Sequence, residues 1–239
     1  MEHMITANSN NLQSGDSSAV RKEKKKGFTS FYTKGEEIFN AVSHIVGGAF
    51  GLAVGIAGVI LGYPNAASMV AMAVFALSII VLYTMSALYH FLPSGKAKGV
   101  FRIFDHCTIY LLIAGTYTPY CLIALAGNPL GIIMLAVEWV CAAAGITMNA
   151  IAMNNKAVKI ISMILYFAMG WVALFGFGIL IPLVKPAVLW LLLAGGIAYT
   201  GGIVFFALGK KVRYFHSVWH LFDLAGTALH FASILFLLI

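Results

Sequence analysis

The stretch Ala66-Ala-Ser-Met-Val-Ala-Met-Ala-Val-Phe-Ala-Leu-Ser-Ile-Ile-Val-Leu-Tyr-Thr-Met-Ser-Ala-Leu-Tyr-His-Phe91 contains no Asp, Glu, Lys or Arg. At about 1.5 Å of rise per residue, a helix of this length exceeds the roughly 30 Å thickness of a bilayer's hydrocarbon core. Nothing in it suggests a strand or a loop, and it reads as a membrane-spanning helix. Its one strongly ionisable side chain, His90, sits at its end.

Working outward, similar apolar runs recur at about 40–62, 103–126, 129–150, 157–180, 186–208 and 215–238, separated by short polar or basic breaks. The chain of 239 residues is 61% hydrophobic and 10% charged, a balance that excludes a water-soluble globular domain. The expected architecture is therefore all-α: one domain of seven transmembrane helices over residues 35–239, because unpaired backbone cannot face lipid. Breaks this short make consecutive helices antiparallel neighbours. Glycines 47, 51 and 55 recur every four residues in the first span and suit close helix approach.

Residues 1–34 are polar, with the basic run Arg21-Lys-Glu-Lys-Lys-Lys26, and lack the apolar core of a cleaved signal peptide. They read as a disordered basic cytoplasmic tail. The formal net charge of +7 points to topology, not to nucleic acid. Arg21, Lys22, Lys24, Lys25, Lys26 and Lys34 precede the first span. Lys96, Lys98, Arg102, Lys156, Lys159, Lys210, Lys211 and Arg213 fall in or beside the second, fourth and sixth breaks. All of these lie on one face, and Lys185 alone lies on the other. The positive-inside rule then places the N-terminus in the cytoplasm and the C-terminus outside. Cys107, Cys121 and Cys141 lie in apolar segments without CxxC spacing and read as small buried side chains.

This topology brings polar and ionisable residues from four spans into one layer at the cytoplasmic end. Span one contributes Glu37, Asn40, Ser43 and His44; span two, Ser86 and His90; span three, Asp105 and His106; span seven, His216 and His220. Ionisable groups at membrane depth are costly and usually mark function. His216 and His220 are one helical turn apart, about 6 Å along the axis, the spacing by which two helical histidines grip one ion. His90 would be a third nitrogen ligand. Three protein ligands leaving a position for water is the arrangement of a catalytic zinc, although imidazole also suits iron, copper or nickel. Asp105 would take a proton from that water. Asp223, on the His220 face, would orient that ring. His230, deeper in span seven, reads as a packed, hydrogen-bonded residue, and Glu138 as a buried carboxyl in a helix–helix hydrogen bond.

The ordered set Glu37-x-x-Asn40-x-x-Ser43-His44, Ser86-x-x-x-His90, Phe104-Asp105-His106 and His216-x-x-x-His220 resembles the hemolysin III family. That family is the bacterial branch of the progestin and adipoQ receptors, in a superfamily with the alkaline ceramidases. The resemblance runs from Glu36 to Ile239. It implies zinc on His90, His216 and His220, Asp105 holding the metal-bound water, and Ser86 supporting the site. It further implies residence in a bacterial cytoplasmic membrane and a role in membrane lipid homeostasis.

Three functions follow as expectations. The first is an intramembrane zinc hydrolase of lipid amide or ester bonds, with membrane lipid as partner. The second is a sensor or receptor in which zinc fixes the helices. The third is a membrane-permeabilising hemolysin, against which stands the lack of a soluble precursor's amphipathic pattern.

Overall fold

The computed structural model describes residues 30–239. Its helices are α1 (Lys34–Gly62), α2 (Ala66–Phe91), α3 (Lys96–Pro119), α4 (Pro129–Ala152), α5 (Lys156–Gly170), α6 (Ala173–Leu180), α7 (Pro186–Leu208) and α8 (Phe215–Leu238). With α5 and α6 forming one interrupted span, seven segments are long and apolar enough to cross a membrane, and there are no strands among the described residues. The protein is a multi-pass membrane protein.

Local chemistry explains the boundaries. The breaks carry asparagines whose side chains cap the next helix: Asn65 accepts from the Ser68 N–H, Asn128 from Leu130 and Asn155 from Ala157. Pro129 and Pro186 open α4 and α7, where a missing N–H costs nothing. The first helix begins at Lys34 and not near residue 40, because Thr33 and Glu36 form a reciprocal capping box. The third begins at Lys96 and carries Lys98 and Arg102 within it. Beyond Pro119 it finishes as a π-helical turn over Tyr120–Ala124, with the Leu125 N–H reaching the Tyr120 carbonyl.

The fifth span, expected to run unbroken over 157–180, is interrupted at Trp171 and Val172. A side chain from α3 secures the interruption: the Tyr117 hydroxyl donates to the Gly170 carbonyl (3.0 Å) and accepts from the Ala173 N–H (2.9 Å). Freed backbone groups inside a membrane protein need such a partner.

Neighbours in sequence are neighbours in space, and α8 closes back on α1 as well as on α7, whereas the fifth and sixth spans scarcely touch. In α1, the glycine stripe sits under α2: Gly47 faces Tyr83, Gly51 faces Ile79 and Ile80, and Gly55 faces Ala76. The apolar core, including Met72, Phe75, Ile79, Leu82, Tyr117, Tyr120 and Ile234, fills the middle of the bundle. Burial is inverted relative to a soluble protein. Ile38, Val42, Ile45, Ile151 and Phe175 are exposed, while Asn40, His44, His90, His216, His220 and Asp223 are buried. That inversion is what a lipid solvent selects.

Candidate metal centre

The polar residues converge at the end of the bundle that carries Lys96, Lys98 and Lys210. Side-chain nitrogens of His90, His216 and His220 lie within 4.8 Å of one another, and all three residues are buried. The three rings form a triangle with centroids 4.9–5.3 Å apart.

Hydrogen bonds prepare two of these rings for ligation. The Nδ1 of His90 lies 2.7 Å from Glu37 Oε2. A carboxylate accepts, so Nδ1 carries the proton and Nε2 keeps its lone pair. That Nε2 is buried and has no hydrogen-bond partner among the described residues. Ser43 Oγ donates to the Asn40 carbonyl (3.0 Å), so toward His220 Nδ1, 3.2 Å away, it can only accept. His220 Nε2 therefore also keeps its lone pair, and it faces the Nε2 of His216 at 3.3 Å. No partner fixes the His216 tautomer among the described residues: with its proton on Nε2 it donates to His220, and with the proton on Nδ1 both Nε2 lone pairs are open to one cation. Outer partners that fix tautomer and ring plane are the usual companions of a metal-ligating histidine. The donor set thus fits a divalent ion with a preference for nitrogen.

The first helix supplies most of the support. Asn40 Oδ1 accepts from Ser217 Oγ (2.7 Å), tying α1 to α8 between the two histidines of the latter. His44 stacks on His220 with centroids 3.7 Å apart. Glu36 accepts from the Tyr214 N–H (2.7 Å). It thereby holds Tyr214 in a left-handed conformation (φ 61°) that an L-residue adopts only at a cost. This turn aims α8, and with it His216, at the centre.

By sequence, Lys98 reads as a charge in a break. It is instead 1% exposed. Its Nζ donates to the carbonyls of Tyr89 (2.7 Å), His90 (3.2 Å) and Leu92 (3.1 Å), and pairs with Glu37 Oε1 at 3.0 Å. It thus satisfies the open carbonyls at the end of α2 and fixes the carboxylate that orients His90. Its residue type betrays nothing of this.

Asp105, Ser86, His44 and Asp223 line a small pocket with His216 and His220. Asp105 approaches His106 Nδ1 at 3.3 Å. Asp223 does not orient His220, whose Nδ1 is already taken by Ser43. It lies 3.6 Å from His44 Nε2, since a residue three positions on is rotated about 60° from the His220 direction. His230 lies outside the cluster, with Nε2 3.2 Å from the Leu192 carbonyl. Glu138 is fully buried and both its carboxyl oxygens lack a hydrogen-bond partner among the described residues, so the helix–helix hydrogen bond expected of it does not form.

A larger apolar cavity adjoins the pocket. Its cavity volume is about 100 Å³, and it shares Ile109, Phe206, Trp219 and Asp223 with the pocket. From there it runs past Tyr199 to Tyr120 and His230, between α3, α5, α7 and α8.

Seven spans, a buried trio of histidines able to hold a metal ion at one end and an apolar cavity below them define a class of polytopic membrane proteins. Residues 32–231 match the family model described as Haemolysin-III related. The chain belongs to that family. It is 39% identical to Hemolysin-3 of Bacillus cereus over 216 residues, covering 90% of this chain and 96% of the relative. It is 35% identical to a Hemolysin-3 homolog of Bacillus subtilis (strain 168), covering 86% and 95%. The human Monocyte to macrophage differentiation factor is 26% identical over 67% of each chain.

Proposed function

We propose that this protein is an intramembrane zinc-dependent hydrolase acting on an amide or ester bond of a membrane lipid, in a bacterial cytoplasmic membrane with the basic end facing the cytoplasm. The observation that carries the reading is the contiguity of three buried imidazoles, two of them held with Nε2 free, with an apolar cavity. The ion would be held by His90, His216 and His220. When bound, it supplies Lewis-acid polarisation of a carbonyl and a lowered pKa for water.

The chain's own residues do the rest. Asp105 accepts a proton at its carboxylate from the attacking water, and Ser86, on the same pocket wall, hydrogen-bonds and orients that carboxylate. Glu37 and Ser43 hold two imidazoles in the tautomer that presents Nε2. The cavity takes the acyl chain and excludes water. The loose seam between the fifth and sixth spans offers a sideways route from the bilayer. A site near the headgroup level suits a scissile bond close to a lipid's polar end.

Turnover of N-acyl and O-acyl lipids by purified protein tests this. The expected result is hydrolysis that stops on chelation, returns with zinc and falls by about 10²-fold or more in Asp105→Ala. Equal turnover after chelation, or in a folded Asp105→Ala, rejects the hydrolase. A sensor with a structural zinc is the second reading, favoured by the way the cluster binds α1, α2 and α8 together. It predicts that Asp105→Asn is silent while His90→Ala unfolds the bundle.

A further inference from the structure

The four residues that precede α1 are not merely a tail. The Tyr32 ring lies flat on the His216 ring, with centroids 4.5 Å apart and planes 9° from parallel, and its centroid is 5.7 Å from that of His90. Ser30 Oγ hydrogen-bonds Glu37 Oε1, the second oxygen of the carboxylate that orients His90. The Ser30 N–H donates to Ser94 Oγ (3.1 Å) in the break between α2 and α3. Phe31 carries the Arg102 guanidinium 5.5 Å and the Lys210 ammonium 4.5 Å from its ring centre, on opposite sides of the site in sequence. Thr33 is locked to Glu36, which in turn holds Tyr214. Residues 30–33 thus form a strap across the basic end of the centre, fastened to α1, to the α2–α3 break, to α3 and to the α7–α8 turn.

We infer that Tyr32 is a positioning residue of the metal centre, and that the strap covers the centre so that exchange of the ion with water at the basic end requires it to lift. The His216 ring needs such a partner. Its Nδ1 is buried without a hydrogen bond among the described residues, so none of them fixes its plane by an outer hydrogen bond as Glu37 and Ser43 fix those of His90 and His220. The flat stack supplies that constraint, with the aromatic contact contributing in place of the missing bond. The role belongs to the ring and not to the hydroxyl.

The inference rests on the three histidines holding an ion, and the test separates the two claims. Protein loaded with Co²⁺ is challenged with excess chelator, and loss of the cobalt absorption bands is followed in time. Tyr32→Ala is expected to lose cobalt about tenfold faster than the unmodified protein and to shift the bands, whereas Tyr32→Phe matches the unmodified protein in both. Phe31→Ala, which loosens the strap without touching a ligand, is expected to accelerate loss with the bands unshifted, and it decides the matter should Tyr32→Ala fail to fold. Release at the unmodified rate in folded Tyr32→Ala and Phe31→Ala overturns the strap and leaves the metal centre standing. Failure of the unmodified protein to bind cobalt overturns both.

Discussion

His220 and His230 lie on the same helix, both buried, with opposite meanings. Around His220, α1 presents Ser43, Asn40 and His44, α2 presents His90, and His216 lies one turn away. Around His230, α7 presents a carbonyl at 3.2 Å, the Tyr199 ring at 5.5 Å and the backbone of Gly195, where a Cβ would come within 2.6 Å of the ring. Ser233 repeats the pattern by donating to the Val188 carbonyl at 2.7 Å. At the basic end of α8, side chains meet side chains, and imidazole nitrogens of His216 and His220 face one another at 3.3 Å. At the other end they meet backbone carbonyls, and no second imidazole nitrogen lies opposite among the described residues. A buried histidine in a membrane is therefore defined by what lies across from it, not by its depth or its own helix.

The sharpest way to break this contrast is to remove one end at a time. His216→Ala/His220→Ala should abolish stoichiometric metal in purified protein by elemental analysis, while His230→Ala retains it. Next in size is Lys98→Met. It strands the Glu37 carboxylate and three carbonyls in a buried setting, at a cost of about 3–5 kcal/mol, read as a large drop in the thermal unfolding midpoint in detergent. Glu37→Gln keeps the shape but weakens the acceptor for His90 Nδ1. Metal affinity should fall about 10–100-fold by competition titration, with stability altered far less. The smallest effect is expected at His230. Changing it to Ala deletes one hydrogen bond to Leu192 and leaves a cavity beneath Gly195, costing about 1–3 kcal/mol of stability with metal affinity unchanged.

The same contrast marks how far the sequence could be read. The spans were legible because apolar length and the one-sided distribution of Lys and Arg are properties of residue type alone. His90, Asp105, His216 and His220 were legible because topology places the ends of α2, α3 and α8 at one level. Within a helix, spacing tells which residues share a face, so His216 and His220 pair as expected. Between helices, rotation about each axis chooses the partner, and spacing is silent about it. Hence Asp223 faces His44 and not His220. Lys98 shows a second limit, since its charge matched a topological rule while its side chain was turned inward onto carbonyls. Tyr32 shows a third, because an aromatic residue beside a polar, lysine-rich stretch carries no sign that a histidine ring lies beneath it. The break in the fifth span was hidden for the same reason: its support, Tyr117, belongs to another helix.

The central claim is that His90, His216 and His220 hold one metal ion. X-ray absorption of the metal in freshly purified protein tests it most directly. The account predicts about one zinc per chain with nitrogen or oxygen neighbours at about 2.0–2.1 Å, three of them giving the multiple scattering of imidazole, and no sulfur shell at about 2.3 Å. A protein that carries no metal after purification in zinc-replete buffer, or one whose metal shows a sulfur shell or no imidazole scattering, would contradict it.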